Sequence, residues 1–299
     1  MKDLLSIADL DAKQIRGLID SAVELKRGGS RPLLEGRSVA LMFEKPSLRT
    51  RVSFDVGVQQ LGGHALYLSP AEVGLGQREP IADVARVLSR YVDGIVARTF
   101  AHSTVKTLAQ HATIPVINGL SDREHPCQVL ADLLTVYEKK GRLEGTVLSY
   151  VGDGNNVANS LLLACSIMDI DFRIASPRGY QLTEDIMALA RKNGGQLVLT
   201  EDPDVAVRDA DVVYTDVWAS MGQEEEAKQR RRVFAPYQVD ERLLSLARPD
   251  AIFMHDLPAH HGEEIAEGLL DAPQSVVFDQ AENRLHMQKA ILVELLGTK

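Results

Sequence analysis

The sequence has little that would serve a secreted, membrane-spanning or nucleic-acid-coating protein. Cys127 and Cys165 are its only cysteines, and both fall in stretches of helical periodicity, which excludes a disulfide framework and points to a reducing compartment. No apolar run approaches the length of a bilayer-spanning helix. Met1-Lys2-Asp3-Leu4-Leu5 carries an early acid, so the expected location is the cytoplasm. Positive charge is in deficit: a formal net charge of -9 leaves no broad basic face for nucleic acid or an anionic membrane. Any anion site must then be a local basic pocket. Low-complexity segments and short-period repeats are missing too. So is a spaced set of metal ligands: His260-His261 stands without companions in sequence and reads as loop surface, and neither a metal nor a cofactor is expected.

What is there is an ordinary globular composition, 45% apolar and 25% charged over 299 residues, long enough for two domains with separate cores. After an amphipathic helix marked by Ile15, Leu18, Ile19, Ala22 and Leu25, strand and helix patterns alternate. Strands are predicted at 38–43, 64–68, 94–97 and 115–117, then at 146–151, 172–175, 196–199, 211–215, 251–254 and 275–278. Helices fall between most of them. The alternation predicts an α/β protein of two doubly wound domains, each a central parallel sheet with helices on both faces and ligands beyond the carboxyl ends of its strands. The first domain is placed at 1–140, with a C-terminal helix at 284–299 packing back on it, and the second at 141–283.

The chain is organised around Lys45-Pro46-Ser47-Leu48-Arg49-Thr50-Arg51, where a strand should become a helix. Pro46 breaks the apolar run 38–43, and Phe54, Val58 and Leu61 then recur at helical spacing until Gly62-Gly63. Free N–H groups and the positive end of the helix dipole favour an anion there, and the arginines with Ser47 and Thr50 complete a phosphate cradle. Taken alone, the same residues also read as a serine N-cap followed by solvated arginines.

Further polar residues fall at predicted strand ends. Arg98 follows one strand; His125-Pro126-Cys127-Gln128 opens a helix, so imidazole and amide can face one object. Asp153, Asn155 and Asn156 sit in a glycine turn that lacks the third glycine of G-x-G-x-x-G, which disfavours a dinucleotide enzyme. Asp216, Ser220, Met221 and Gly222 follow another strand, His255-Asp256-Leu257-Pro258 a further one, and Arg284 stands before the last helix. A pocket built from these is cationic on one side, suiting a phosphate and a carbonyl oxygen, while Asp216 suits an ammonium, and Asn156 and Arg284 a carboxylate or other polar group. The charged run Gln223 to Arg232 reads as a solvated helix or as a lid.

Taken in order, Ser47-Leu48-Arg49-Thr50-Arg51, Asp83-Val84-Ala85-Arg86-Val87-Leu88-Ser89-Arg90, His125-Pro126-Cys127-Gln128, Gly152-Asp153-Gly154-Asn155-Asn156, Asp216-Val217-Trp218-Ala219-Ser220-Met221-Gly222 and Ala281-Glu282-Asn283-Arg284 resemble the signatures of the ornithine carbamoyltransferases. The resemblance covers essentially the whole chain. It implies transfer of the carbamoyl group of carbamoyl phosphate to the δ-amine of L-ornithine, with a trimer or multiple of trimers as the assembly. It also implies that Ser47, Leu48 (through its backbone N–H), Arg49, Thr50 and Arg98 hold phosphate. His125, Gln128 and Arg98 hold the carbamoyl oxygen, and Arg284 faces the reacting centre. Asn156, Asp216, Ser220, Met221, Asp256 and Leu257 belong to the ornithine side.

Two departures from the family pattern stand out. Leu48 replaces the usual threonine, and Asp256 replaces the usual cysteine of a His-Cys-Leu-Pro motif beside the expected δ-amine. A carboxylate there attracts the ammonium and accepts a proton, yet also holds the amine in its unreactive form, so an altered pH profile is expected. Two other readings stay open: a carbamoyltransferase for another amino acid or diamine, and a catalytically silent ligand-binding paralogue.

Overall fold

The computed structural model describes residues 1–28, 32–75, 78–219 and 226–297. These divide into two compact units, one of Met1–Leu134 with Glu282–Lys299 and one of Thr135–Ala281.

The first unit is built on a four-stranded parallel sheet in the order β2-β1-β3-β4, with β1 at Ser38–Phe43, β2 at His64–Leu68, β3 at Gly94–Arg98 and β4 at Val116–Leu120. Apolar runs of four to six residues suit strands covered on both faces. Ala40, Met42, Ile95 and Ala97 point to one face, where they pack with Val84, Ala85, Val105 and Leu108 of α4 (Ile81–Leu88) and α5 (His102–His111). Around the sheet lie α1 (Ala12–Gly28), α2 (Leu48–Gln60), the short α3 (Pro70–Val73), α6 (Pro126–Lys140) and α12 (Val277–Leu296). The chain leaves this unit within α6 and returns within α12. Gly62, at φ 79°, ends α2: its N–H bonds Gln59 O, and that of Gly63 reaches Val58 O.

The second unit holds a five-stranded parallel sheet in the order β7-β6-β5-β8-β9, from β5 (Val147–Val151), β6 (Asp171–Ala175), β7 (Leu197–Thr200), β8 (Val212–Thr215) and β9 (Ile252–His255). Its helices are α7 (Asn156–Ile167), α8 (Glu184–Ala190), α9 (Pro203–Val207), α10 (Ala227–Phe234) and α11 (Glu241–Leu244). Val151, Val213, Trp218, Phe234 and Phe253 share one core cluster. The fold class is therefore the one the alternation predicts.

One predicted strand is corrected. Ser275 makes only an isolated bridge to Phe253, and Val277 already opens α12. The run Ser275-Val276-Val277-Phe278 is β-branched and short, a pattern that periodicity cannot separate from the first turn of a buried helix. The last helix accordingly starts before the expected 284.

Candidate active site

In the first unit the strand order reverses between β1 and β3, whose carboxyl ends lie side by side with Phe43 in register with Arg98. The chain leaving β1 turns into α2 at Ser47, the N-cap, whose Oγ accepts the Thr50 N–H at 3.3 Å. The buried Thr50 hydroxyl accepts from Arg284 Nη2 at 2.8 Å and from Arg98 Nη1 at 3.4 Å. Leu48 is 76% exposed, so its side chain lies away from this spot, and its N–H is one of the orphan donors of the first turn.

His125 stands directly before α6 and is buried. Burial, followed by the charges of Arg284, Arg98, Lys45 and Arg49, holds its pKa well below 6.5, so the imidazole is neutral at physiological pH. Burial, then Arg98, lowers that of Lys45 as well. Cations gathered this closely repel one another, and an anion bound among them relieves that repulsion. Gln128, one turn into α6, donates from Nε2 to Asp132 Oδ1 at 2.9 Å, while its buried Oε1 has no hydrogen-bond partner among the described residues. Ser47, Leu48, Arg49, Thr50, Arg98, His125, Gln128 and Arg284 thus all belong to the first unit, and Thr50, Arg98, Arg284 and His125 are brought together there.

In the second unit the order reverses between β5 and β8, with Val151 in register with Thr215. Past these ends lie the turn at Gly152–Asn156 and the buried Asp216. Gly154 is obligatory in that turn, because a Cβ would meet Gln181 C at 2.5 Å and Leu182 N at 2.6 Å. Asn155 is the N-cap of α7: its Oδ1 accepts from Val157 and Ala158 N–H at 2.9 and 3.1 Å, and its Nδ2 donates to Asp216 Oδ2 at 2.7 Å. Burial, and then Asp216, Asp153 and Asp256, push the Tyr150 hydroxyl well above its ordinary pKa of 10.0. Carboxylates therefore concentrate here, the reverse of the first unit.

Asp256 and Leu257 follow β9. Leu257 adopts φ 59°, a left-handed conformation that costs a bulky residue about 1–3 kcal/mol and persists only where neighbours impose it. Those neighbours are visible. Its N–H donates to His255 Nδ1 at 2.9 Å, and His255 Nε2 lies 3.2 Å from Glu264 Oε1. Burial alone would raise the Glu264 carboxyl, but His255 and the His260 N–H hold it below its ordinary value. Asn156 opens α7 and is partly exposed; Ser220 and Met221 lie outside the described residues, as do 223–225 of the charged run.

Sequence reasoning passed over several of these groups. Asn155, which in sequence stands out only as part of the glycine turn and its family signature, caps α7 and binds Asp216. Arg230, read within a solvated run, is buried: it donates to Asp153 Oδ2 at 2.7 Å and to Trp218 O at 2.9 Å. His260 does gain companions in space, since it groups with Glu263 and Glu264, and Asp216 groups with His255 and Asp256. Glu264 and both ring nitrogens of His255 are already engaged within the protein, and Glu263 pairs with Arg231 at 2.8 Å.

Comparison with known proteins divides the chain at nearly the same point after α6, but counts the C-terminal helix with the second domain, whereas its contacts from Glu282 onward lie in the first unit. Residues 2–138 match the aspartate/ornithine carbamoyltransferase carbamoyl-P binding domain, and residues 144–295 match the Asp/Orn binding domain of that family. The chain is 55% identical to the ornithine carbamoyltransferase of Anoxybacillus flavithermus, over 99% of this chain and 96% of that relative. It is 52% identical to the anabolic ornithine carbamoyltransferase of Pyrococcus furiosus, again over 99% and 96%. The solved structure of ornithine carbamoyltransferase from Pyrococcus furiosus superposes with a TM-score of 0.95, covering 100% of this chain and 98% of that one.

Proposed function

The chain belongs to the aspartate/ornithine carbamoyltransferase family, and from that premise we infer that it transfers the carbamoyl group of carbamoyl phosphate to the δ-amino group of L-ornithine, giving L-citrulline and phosphate. The observation that carries this reading is the buried cluster in which Arg98 and Arg284 converge on the Thr50 hydroxyl beside a neutral His125. Such a cluster suits an acyl phosphate, a mixed anhydride whose carbonyl can be polarised.

Ser47, Arg49, Thr50, Arg98 and the first-turn N–H groups of α2, that of Leu48 included, take the phosphate. His125, neutral and therefore able to donate one N–H without leaving a second buried charge, supports the carbamoyl oxygen together with Arg98 and Arg284. Negative charge grows on that oxygen as the amine attacks, so donors already in place lower the barrier. Gln128, which the family resemblance puts on the carbamoyl oxygen, has its Nε2 engaged by Asp132 and is left with an acceptor, so its Oε1 suits an amide N–H of the carbamoyl group instead. The δ-nitrogen forms its bond to the carbonyl carbon, the carbon–oxygen bond to phosphate breaks, and the proton lost by the amine passes to the departing phosphate oxygen. Phosphate leaves into the arginine cluster.

On the acceptor side, Asp216 with Ser220 takes the α-ammonium, Asn156 the α-carboxylate, and Met221 and Leu257 supply backbone contacts. Asp256 faces the δ-amine. Alignment of two held substrates supplies much of the remaining rate. A homotrimer or a multiple of it is the assembly that the family resemblance supports, and two buried cysteines outside any disulfide suit a cytoplasmic, reducing setting. Among the described residues no helix is long and apolar enough to cross a membrane.

The test is citrulline formation from carbamoyl phosphate and L-ornithine, with putrescine, aspartate and acetylornithine as parallel acceptors. Turnover is expected with ornithine alone. Turnover with another acceptor, or with none by a folded chain that binds carbamoyl phosphate, would replace this reading.

A further inference from the structure

Gln128 and Asp132 lie one turn apart on the same face of α6, and both side chains are buried, at 1% and 0% exposure. Neither is in a position to exchange its partner for bulk water. An amide can turn either end toward a neighbour, but a carboxylate oxygen only accepts. The 2.9 Å contact from Gln128 Nε2 to Asp132 Oδ1 therefore fixes which end is which. Gln128 Oε1 is left as a buried acceptor with no partner among the described residues. His125, three residues earlier, lies on the same side of the helix start and faces Arg284, Arg98, Lys45 and Arg49. The fixed acceptor thus belongs to the anion cluster.

A buried acceptor is costly to leave unmet, and it is matched by a ligand that brings an N–H to it. A phosphorylated donor with an amide –NH2 does so; an isosteric donor with a methyl group does not, and leaves Oε1 bare. Discrimination by a missing hydrogen bond to a buried polar group exceeds what pocket shape alone gives. We propose that Asp132 is a positioning residue that locks the Gln128 amide with its oxygen turned away from the Asp132 carboxylate, and thereby selects carbamoyl over acyl phosphate donors. The inference rests on the carbamoyl phosphate reading above. If Asp132 did not hold it, the amide could turn its own N–H groups toward the ligand, and the preference would weaken.

Binding to the full-length protein tests this without turnover, using phosphonoacetamide, acetonylphosphonate and inorganic phosphate as probes. The wild type should prefer phosphonoacetamide over acetonylphosphonate by about 10- to 100-fold, the range set by one unmet buried acceptor. Asp132→Leu, branched at Cγ in the same way though larger, and without an acceptor, should bring that ratio to within a few-fold of one while phosphate affinity changes little. Asp132→Asn keeps an acceptor oxygen and should preserve most of the preference. A wild-type ratio near one overturns the proposal even if the leucine variant does not fold. So does a leucine variant that keeps the full ratio, or an asparagine variant that loses it entirely. If the wild type binds neither phosphate nor phosphonoacetamide, it is the carbamoyl phosphate reading itself that fails.

Discussion

Arg284 donates from Nη2 to the hydroxyl of Thr50 at 2.8 Å, across 234 residues of sequence. The contact ties α12 to the first turn of α2, and it aims a guanidinium at the same oxygen that Arg98 reaches from β3. Thr50→Val should remove the acceptor and leave guanidinium N–H groups unmatched. Carbamoyl phosphate affinity should then fall by about 5- to 100-fold, equivalent to 1–3 kcal/mol. Thr50→Ser, which restores the oxygen, should recover most of it. Calorimetric titration decides the matter; equal affinities in the valine and serine variants would show that the hydroxyl is not what holds the cluster together.

His125 makes stability depend on pH in a definite direction. Its native pKa lies well below the 6.5 of an exposed imidazole, chiefly through burial and then through Arg284 and Arg98. Between the two values the unfolded chain binds more protons than the native one, so stability rises with pH across that window, is complete above it, and is lost as acid is added. His102 and His286 are lowered by burial too and act in the same sense. The thermal midpoint should drop between pH 7 and pH 5, and His125→Asn should make the drop shallower. An equally steep profile in the variant would assign the acid sensitivity elsewhere.

How much of this was legible in sequence depended on range. Strands such as 147–151 and 212–215 announce themselves as apolar runs, and their parallel order follows from the helices between them. The sites at their carboxyl ends follow in turn. The partners of Asp153 and Thr50 could not be read in the same way, because Arg230 and Arg284 lie 77 and 234 residues away. Arg230 sits in a run of like residues, and nothing local separates a buried arginine from solvated ones. Asp132 was hidden differently: an acid four residues after a glutamine on a helix looks like ordinary surface until burial is known.

The Asp153–Arg230 pair gives a prediction of stability. Both side chains are buried, at 12% and 7% exposure, and the guanidinium also holds Trp218 O and lies 4.9 Å from the Tyr180 ring centre. Arg230→Met strands a buried carboxylate and should cost about 3–5 kcal/mol. The cost should shrink when Asp153→Asn is added, since no charge is then left unpaired. Denaturant titration of the two single variants and the double variant measures it. Strict additivity would mean that the pair does not interact.

Gly154→Ala should be damaging out of proportion to one methyl group. The new Cβ meets backbone atoms of Gln181 and Leu182 at 2.5–2.6 Å, and neither can yield as a flexible side chain would. The turn must shift, carrying Asn155 away from Asp216. A loss of about 1–3 kcal/mol is expected, together with an ornithine KM raised well above any change in the carbamoyl phosphate KM. If both KM values moved equally, the turn would not belong to the ornithine side.

Asp256 sets the last expectation, and its sign follows from charge alone. Attack requires the δ-amine neutral, whereas a free primary amine of this kind holds its proton up to a pKa of about 10. A carboxylate beside it stabilises the ammonium and raises that pKa further in the complex. Asp256 lies close to Asp216, and after burial it is Asp216, Asp153 and Asp256 itself that raise the Tyr150 hydroxyl, so the surroundings are already negative. The acid limb of kcat should therefore lie at high pH, and Asp256→Asn should move it down by roughly one unit while raising the ornithine KM. Asp256→Ala, neutral at every pH, should behave like the asparagine variant on the acid limb. Initial rates from pH 7 to about 11.5 at saturating substrates bracket the limb. An acid limb that stays in place, or moves upward, in both variants would mean that Asp256 does not face the amine, and that the carboxylate in place of the usual thiol is catalytically neutral.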